Sequence, residues 1–412
     1  MESLIRVNTF EKKIKNYYQI TPKVVDQVLE ISRDFKGLKV VNVNATCFGG
    51  GVAGMLYSII PLLQDLGINA RWYVLPPDDV FFEVTKKIHN FLQGEDGDLT
   101  QEEKKIYLDY NKNLAKSLSC LEADILVIHD PQPMASLSFC EKKQKKVIWR
   151  SHLDTSAPNK KIWDFLFPYL KIYDHMVFSI PPFAPSNLDK EKVSFITPVI
   201  DPLNPKNFLI SKKEARNYVQ KFGIDTARPL ITQVSRLDPW KDPKGVIKAY
   251  RLIKKTIPEI QLALVAQMAN DDPQAYTVYE EIKKDIKDEK GIFLLINPKD
   301  NELTVNSFQT ASDVVLQKSI KEGFGLTVTE AMWKNAVVVG GNVGGIKVQI
   351  KDGVNGFLVD SSEEAAKKII QILNNPQLGE KISRNAHLCV RENFLVPHSM
   401  LNWFNLIKKL ES

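Results

Sequence analysis

Four cysteines in 412 residues, Cys47, Cys120, Cys140 and Cys389, make no CxxC pair. That scarcity speaks against a disulfide framework and a zinc site, and it fits a reducing, cytoplasmic setting. No apolar run reaches the roughly 18 residues that a membrane span needs. The opening residues, Met1-Glu2-Ser3-Leu4-Ile5-Arg6, lack the apolar centre of a signal peptide. Internal repeats and low-complexity segments are missing. So is a large excess of one charge: 55 basic against 49 acidic residues leave +6. The short basic runs at Lys12 to Lys15 and Lys142 to Lys146 read as solvated helix ends, so neither a nucleic acid nor a membrane is expected as partner. No Asp-x-Asp metal motif stands out, and no GK[ST] follows any glycine loop.

What is present is ordinary in composition, with 44% hydrophobic and 25% charged residues. The length exceeds one core and predicts two domains of roughly 200 residues. Short β-branched runs alternate with amphipathic stretches: Val40 to Asn44, Ala70 to Leu75, Ile125 to His129, Lys146 to Arg150 and Met176 to Ser179 read as strands. A cluster of prolines and polar residues, Pro198, Asp201, Pro202, Asn204 and Pro205, then reads as a hinge, since proline fixes φ and lacks an N–H. A second series follows with strands at Leu230 to Val234, Gln261 to Val265, Ile292 to Leu295, Val314 to Leu316 and Val337 to Val339. Helices are expected at about Val52 to Gly67, Gly245 to Thr256 and Ala275 to Asp288. The pattern predicts an α/β chain with two doubly wound, Rossmann-like domains, 1–200 and 201–396, facing a cleft. A last helix over about 397–412 has the periodicity to pack back on the first domain.

Four loops carry candidate chemistry. In Glu322-Gly323-Phe324-Gly325-Leu326-Thr327-Val328-Thr329-Glu330, two acids eight positions apart flank a glycine turn that runs into a helix. Free N–H groups at a helix start suit an anion, and carboxylates suit sugar hydroxyls. The segment therefore fits a ligand that is part phosphate, part sugar. In Ser235-Arg236-Leu237-Asp238-Pro239-Trp240-Lys241, Arg236 and Lys241 can straddle a polyphosphate, and Pro239, with Pro243 just beyond, stiffens the turn. A surface turn with stray charges is the alternative. Gly49-Gly50-Gly51 after the first strand can bring amides to a phosphate or sugar oxygen, and a tight strand–helix turn explains it equally; it is not read as a dinucleotide fingerprint. His152 and Asp154 follow a strand, as do His129 and Asp130 in Ile128-His129-Asp130-Pro131. A structural histidine is the plain alternative there.

Arg236, Lys241, Glu322-Gly323-Phe324-Gly325, Glu330 and Val343-Gly344-Gly345-Ile346 together resemble the retaining GT-B glycosyltransferases that use nucleotide sugars. A narrower resemblance, carried by Val41 to Ala53, Asn69 to Val74, Phe81 to Asn90 and Trp149 to Asp154, is to the trehalose-forming glycosyltransferring synthases. Fungal-type trehalose phosphorylases share much of it. The resemblance implies a GT-B fold and transfer of glucose from a nucleoside-diphosphate glucose to free glucose, a reaction that some family members run in reverse. It implies Glu322, His152, Arg236 and Lys241 as catalytic residues. The donor would be held by Gly50, Gly51, Arg236, Lys241, Glu322, Gly323, Phe324, Gly325, Leu326, Thr327 and Glu330. Asp154, Asp130 and Glu83 are the acceptor candidates. No obligatory metal or other cofactor is expected, with Mg2+ at most a stimulator. A homodimer is the one self-association considered, and the oligomeric state is left open.

Overall fold

The computed structural model describes residues 3–48, 50–268, 273–287 and 289–411. The chain divides into two compact units: 1–199 with 396–412, and 200–395.

The first unit is built on a seven-stranded sheet: β1 (Ile5–Val7), β2 (Lys39–Asn44), β3 (Asn69–Val74), β4 (Ile125–His129), β5 (Lys146–Arg150), β6 (His175–Phe178) and β7 (Val193–Phe195). Their spatial order is β1-β3-β2-β4-β5-β6-β7. Only β1 runs antiparallel, against β3. β4 is buried along its whole length, and β2 and β5 are buried at all but their first residue, as expected where helices cover both faces of a parallel sheet. Two edge strands escape the sequence reading because they are short and exposed: β1 and β7 have three residues each. The helix after β2 begins at Gly50 and ends at Asp65, two residues earlier at each end than the apolar periodicity suggests. The last helix, Val396–Glu411, belongs to this unit. It buries Met400, Phe404 and Ile407, and Phe404 stacks on Phe35 with ring centroids 5.5 Å apart.

The second unit holds β8 (Leu230–Arg236), β9 (Gln261–Gln267), β10 (Ile292–Ile296), β11 (Val314–Gln317), β12 (Val337–Gly341) and β13 (Phe357–Val359), all parallel, in the order β10-β9-β8-β11-β12-β13. Alternate residues feed two separate cores. Leu262 and Leu264 pack with Val246, Ile253 and Ile369 on one face. Ala263 and Val265 pack with Val219, Val305 and Phe308 on the other. β8 runs to Arg236, so that arginine ends a strand where a loop was expected. The helix expected over Ala275 to Asp288 runs Pro273–Asp285, and Asp288 lies outside the described residues. The basic run at Lys142 to Lys146 is not a helix end. It leads into β5, with Lys142 paired to Asp174 at 2.7 Å and Lys145 to Asp124 at 2.9 Å.

Candidate active site

In the second unit, β8 and β11 are neighbours although β9 and β10 separate them in the chain. Strand order reverses there, and ligands of doubly wound sheets bind beyond the carboxyl ends of the strands at such a point. The two loops that leave those ends carry the sequence candidates. They are tied to each other and to the sheet. The Gln233 side-chain amide donates to the Lys241 carbonyl at 2.7 Å, and Gln317 donates to the Val234 carbonyl at 2.7 Å. The Ile320 N–H donates to the Trp240 carbonyl at 2.9 Å. Buried Lys318 forms an ion pair with half-buried Asp242, a residue held at φ 47°.

Lys241 Nζ donates to Oε1 and Oε2 of Glu322, each at 2.7 Å, and Ser319 Oγ donates to Oε2 at 3.2 Å. Both side chains of the pair are largely shielded, 18% and 12% exposed. The chain from Glu322 to Gly325 is braced from below. Gly344 has φ +46°, and a Cβ there would stand 1.8 Å from the Glu322 carbonyl oxygen; one on Gly345 would stand 2.5 Å from Phe324 Cα. Those two glycines are needed for close backbone approach. The Gly345 N–H donates to the Gly323 carbonyl at 2.7 Å, and buried Gln349 donates to the Phe324 carbonyl at 2.5 Å. Gly325, at φ 83°, caps the helix Leu326–Trp333. The amides of Leu326 and Thr327 thus open a helix, where no intrahelical acceptor exists.

Glu330 lies about one turn further along that helix, 5% exposed. Lys206 Nζ pairs with its Oε1 at 2.8 Å, while Oε2 is buried with no partner among the described residues. One turn on, Lys334 is buried and donates to Gln309 Oε1 at 2.7 Å and Asn207 Oδ1 at 3.1 Å. Burial pushes its ammonium down to about 7, against the pull of Glu330. Arg236 is the exception among the donor candidates. Its side chain is 70% exposed, 3.5 Å from Asp238, and it is not joined to the Lys241–Glu322 pair.

In the first unit the order reverses between β2 and β4. Buried His129, the last residue of β4, accepts or donates on both ring nitrogens: Nε2 lies 3.0 Å from Asn42 Oδ1 and Nδ1 lies 2.9 Å from His152 Nε2. Asp130 adopts φ 62°. Its N–H donates to the Arg150 carbonyl at 2.8 Å, its carbonyl accepts from Trp149 Nε1 at 3.0 Å, and its Oδ1 accepts from the His152 N–H at 2.8 Å. A strained, three-point-held residue of this kind points to function. Burial raises the Asp130 carboxyl to about 7, against the His152 N–H and Arg150. Burial likewise drives the His152 imidazole well below its ordinary range, with Arg150 and His129 adding to the effect. Arg150 is itself buried, donates to the Phe178 carbonyl at 2.8 Å and the Ile196 carbonyl at 2.5 Å, and is lowered to about 9.

The remaining candidates are not drawn into this group. Asp154 turns its Oδ1 onto the Ser156 N–H at 3.0 Å and Oγ at 2.6 Å. Glu83 is exposed on the helix Asp79–Leu92. Gly50, at φ 74°, and Gly51 start the helix after β2 in exposed positions. Gly49 lies outside the described residues. Gly49, Gly51 and Gly54 do meet the GxGxxG spacing literally, which corrects the reading from the sequence. Asp96-Gly97-Asp98 also spells Asp-x-Asp, but Asp98 pairs with Lys104 at 3.3 Å. Among the described residues no group of three or more His, Cys, Asp or Glu is placed to hold a metal ion, and no helix is long and apolar enough to cross a membrane. Lys206, Lys334, Ser319, Gln349 and Asn42 were not foreseen. None carries a local sequence signal of its pairing, and only folding reveals its partner.

Two doubly wound parallel sheets with this glycine loop and acid pair define a GT-B glycosyltransferase. The fold matches sucrose-phosphate synthase from Thermosynechococcus elongatus with a TM-score of 0.70 and 15% identity, covering 90% of this chain and 99% of that one. Residues 42–185 match the family model for the N-terminal domain of trehalose synthase, and residues 214–388 that for glycosyl transferases group 1. The chain belongs to the trehalose synthase family of glycosyltransferases. It is 41% identical to trehalose synthase from Pyrococcus horikoshii over 403 residues, covering 97% of both chains. It is also 41% identical to that from Rubrobacter xylanophilus, covering 99% of both. Trehalose phosphorylase from Pleurotus pulmonarius is more distant, 27% identical over 84% of this chain and 52% of its own length.

Proposed function

We propose that the chain transfers glucose from a nucleoside-diphosphate glucose to free glucose, forming trehalose with retention at the donor anomeric carbon. The observation that carries this reading is the end-to-end similarity to trehalose synthases, which includes the unit that holds His152 and Asp130. In the proposed reaction the bond from glucose C1 to the diphosphate oxygen breaks, and its electron pair goes to that oxygen. The acceptor hydroxyl oxygen bonds to C1 from the same face, and its proton passes to the leaving phosphate. Lys241, Arg236 and the amides at Leu326 and Thr327 stabilise the charge that builds on the diphosphate. This set of cations and dipoles does the work without a protein-bound metal, so a chelator should leave turnover measurable, with Mg2+ acting through the nucleotide at most.

Glu322 holds hydroxyls of the transferred glucose, and Glu330 the ribose. Support for the ribose role is the stranded Oε2 of Glu330, a buried acceptor that a ribose hydroxyl would satisfy. His152 contacts a sugar hydroxyl near the reacting carbon, and Asp130 leads the acceptor candidates. A double displacement would need a free carboxylate nucleophile. Both oxygens of Glu322 are taken up by Lys241, and this favours front-face attack.

Incubation with a panel of nucleoside-diphosphate glucoses and free glucose, followed by NMR of the product, should yield the α,α-1,1-linked disaccharide and nucleoside diphosphate. Glucose 1-phosphate formed from trehalose and inorganic phosphate, with no nucleotide-dependent product, would make the chain a phosphorylase instead. A disaccharide with another linkage would reassign the acceptor.

A further inference from the structure

Asn42, His129 and His152 form one line of hydrogen bonds within the first unit. Asn42 sits on β2 and His129 two positions past its register partner on β4. His152 follows β5. The two imidazoles are nearly coplanar, 10° apart with centroids at 5.3 Å, so the 2.9 Å contact runs edge to edge between ring nitrogens. Asn42 and His129 are 7% and 2% exposed. Asn42 and His129 form the polar edge of a cavity of about 40 Å³ whose lining is otherwise almost wholly apolar, with Val40, Ile59, Val127 and Phe404 among its walls. Water has little reason to enter so apolar a space and compete for the Asn42–His129 bond.

Donor and acceptor bookkeeping then assigns every proton. The Asn42 oxygen only accepts, so His129 Nε2 carries hydrogen. Burial and the nearby Arg150 push the His129 imidazole down to about 3, so the ring is neutral and its Nδ1 is bare. A bare Nδ1 accepts, so the facing Nε2 of His152 must donate. His152 is neutral for the same reasons, which leaves its own Nδ1 bare. That nitrogen has no partner among the described residues.

We propose that Asn42 and His129 are positioning residues that lock His152 in the Nε2–H tautomer, so that it offers Nδ1 purely as a hydrogen-bond acceptor to a substrate hydroxyl. The inference rests on the reading of His152 as a sugar contact. It adds a specificity rule: the group read by His152 must be an O–H. Fluorine, or an acceptor-only oxygen of a phosphate or carboxylate, is rejected there as strongly as plain hydrogen.

The first test needs no substrate. In the full chain labelled with 15N in the histidine rings, NMR at neutral pH should show His129 and His152 neutral, each with hydrogen on Nε2. Hydrogen on Nδ1 of His152, or a cationic His129, overturns the lock without touching the proposed reaction. The second test is kinetic. His129→Phe should lower kcat by about 10²-fold, in the range where a partner fixes a histidine tautomer, while KM for the nucleotide sugar stays nearly level. His129→Gln keeps an acceptor for His152 and a donor for Asn42, so it should restore most of that loss. Deoxy and deoxyfluoro glucose analogues at the hydroxyl read by His152 should fail equally with the unmodified chain. A fluoro analogue that outperforms its deoxy counterpart at every position overturns the acceptor assignment. With the tautomer confirmed, unchanged kcat in His129→Phe would remove His152 from the reaction and leave the lock as structure alone.

Discussion

The Lys241–Glu322 pair gives a quantitative test of the donor half. Both carboxylate oxygens lie 2.7 Å from the ammonium. At that separation and an effective dielectric of about 20, the attraction is about 6 kcal/mol. Desolvation of two shielded ions offsets several kcal/mol of it, so the pair as a whole adds little to stability. Removing one partner is different, because the other charge is left stranded, at about 3 kcal/mol. Lys241→Met and Glu322→Gln should therefore each open the β8 and β11 amides to hydrogen exchange by roughly two decades. The double variant should be less destabilised than the sum by about 2 kcal/mol. Activity should follow the same logic. Lys241→Met should lower kcat/KM for the nucleotide sugar by about 10² to 10³-fold. Glu322→Gln should cut turnover and spare nucleotide binding, and the double variant should be no worse than the worse single. Hydrogen exchange and initial rates measured on the same four proteins read both cycles. Additive losses in both would mean that the pair is not coupled, and the clamp reasoning would fail.

Three further outcomes follow from particular residues. Asp130 titrates at about 7 in the folded chain against an ordinary 3.8. Its proton-bound stability is thus full below about pH 4 and is lost as pH rises through 7. Asp130→Asn, which tolerates the positive φ, should gain about 1–2 kcal/mol over the unmodified chain at pH 8 and little at pH 4, at the expense of activity; equal melting shifts at both pH values would refute the assignment. His129, held at about 3 against 6.5, has the opposite sign: it stays neutral in the fold, so stability present above pH 6.5 is lost as pH falls toward 3. His129→Gln should flatten the acid limb of unfolding by about one proton, read from the slope of stability against pH. Gly344→Ala, at φ +46° with the Glu322 carbonyl in the way, should cost about 3 kcal/mol or more and abolish nucleotide binding by calorimetry. Gly353→Ala, at φ +70° in open space, carries only the backbone strain of about 1 kcal/mol and should bind normally.

The fold was legible where burial is two-sided. Strands β4 and β5 are marked by the apolar runs 125–128 and 147–149 and lie at the positions expected from them. Legibility fails at edges and ends. Ser235 and Arg236 look like loop residues, yet both pair with β9 in register. β1 cannot be read from Ile5, Arg6 and Val7, because what makes it a strand is the distant edge of β3. For the site, residue types and loops were legible, and partners were not. Lys241 and Glu322 were each singled out, but nothing local shows that one neutralises the other across 81 positions. Lys334 is harder still, since a lysine just past the end of a helix reads as solvated while this one is 4% exposed.

The missing information is strand order. In each unit one polar pairing that the sequence does not show falls where that order reverses. Asn42 on β2 bonds to His129 on β4, neighbours separated in the chain by β3. Lys241 after β8 bonds to Glu322 after β11, neighbours separated by β9 and β10. A reversal leaves a crevice that no crossover helix fills, because the connections from the two strands depart to opposite faces of the sheet. Polar side chains at those strand ends can then meet each other, shielded and without a backbone competitor. A lysine that would be a surface charge elsewhere becomes half of a clamp, and a histidine that would be a core residue acquires a defined proton. These two shielded polar pairs are thus a property of two adjacencies, β2 beside β4 and β8 beside β11, more than of any single motif.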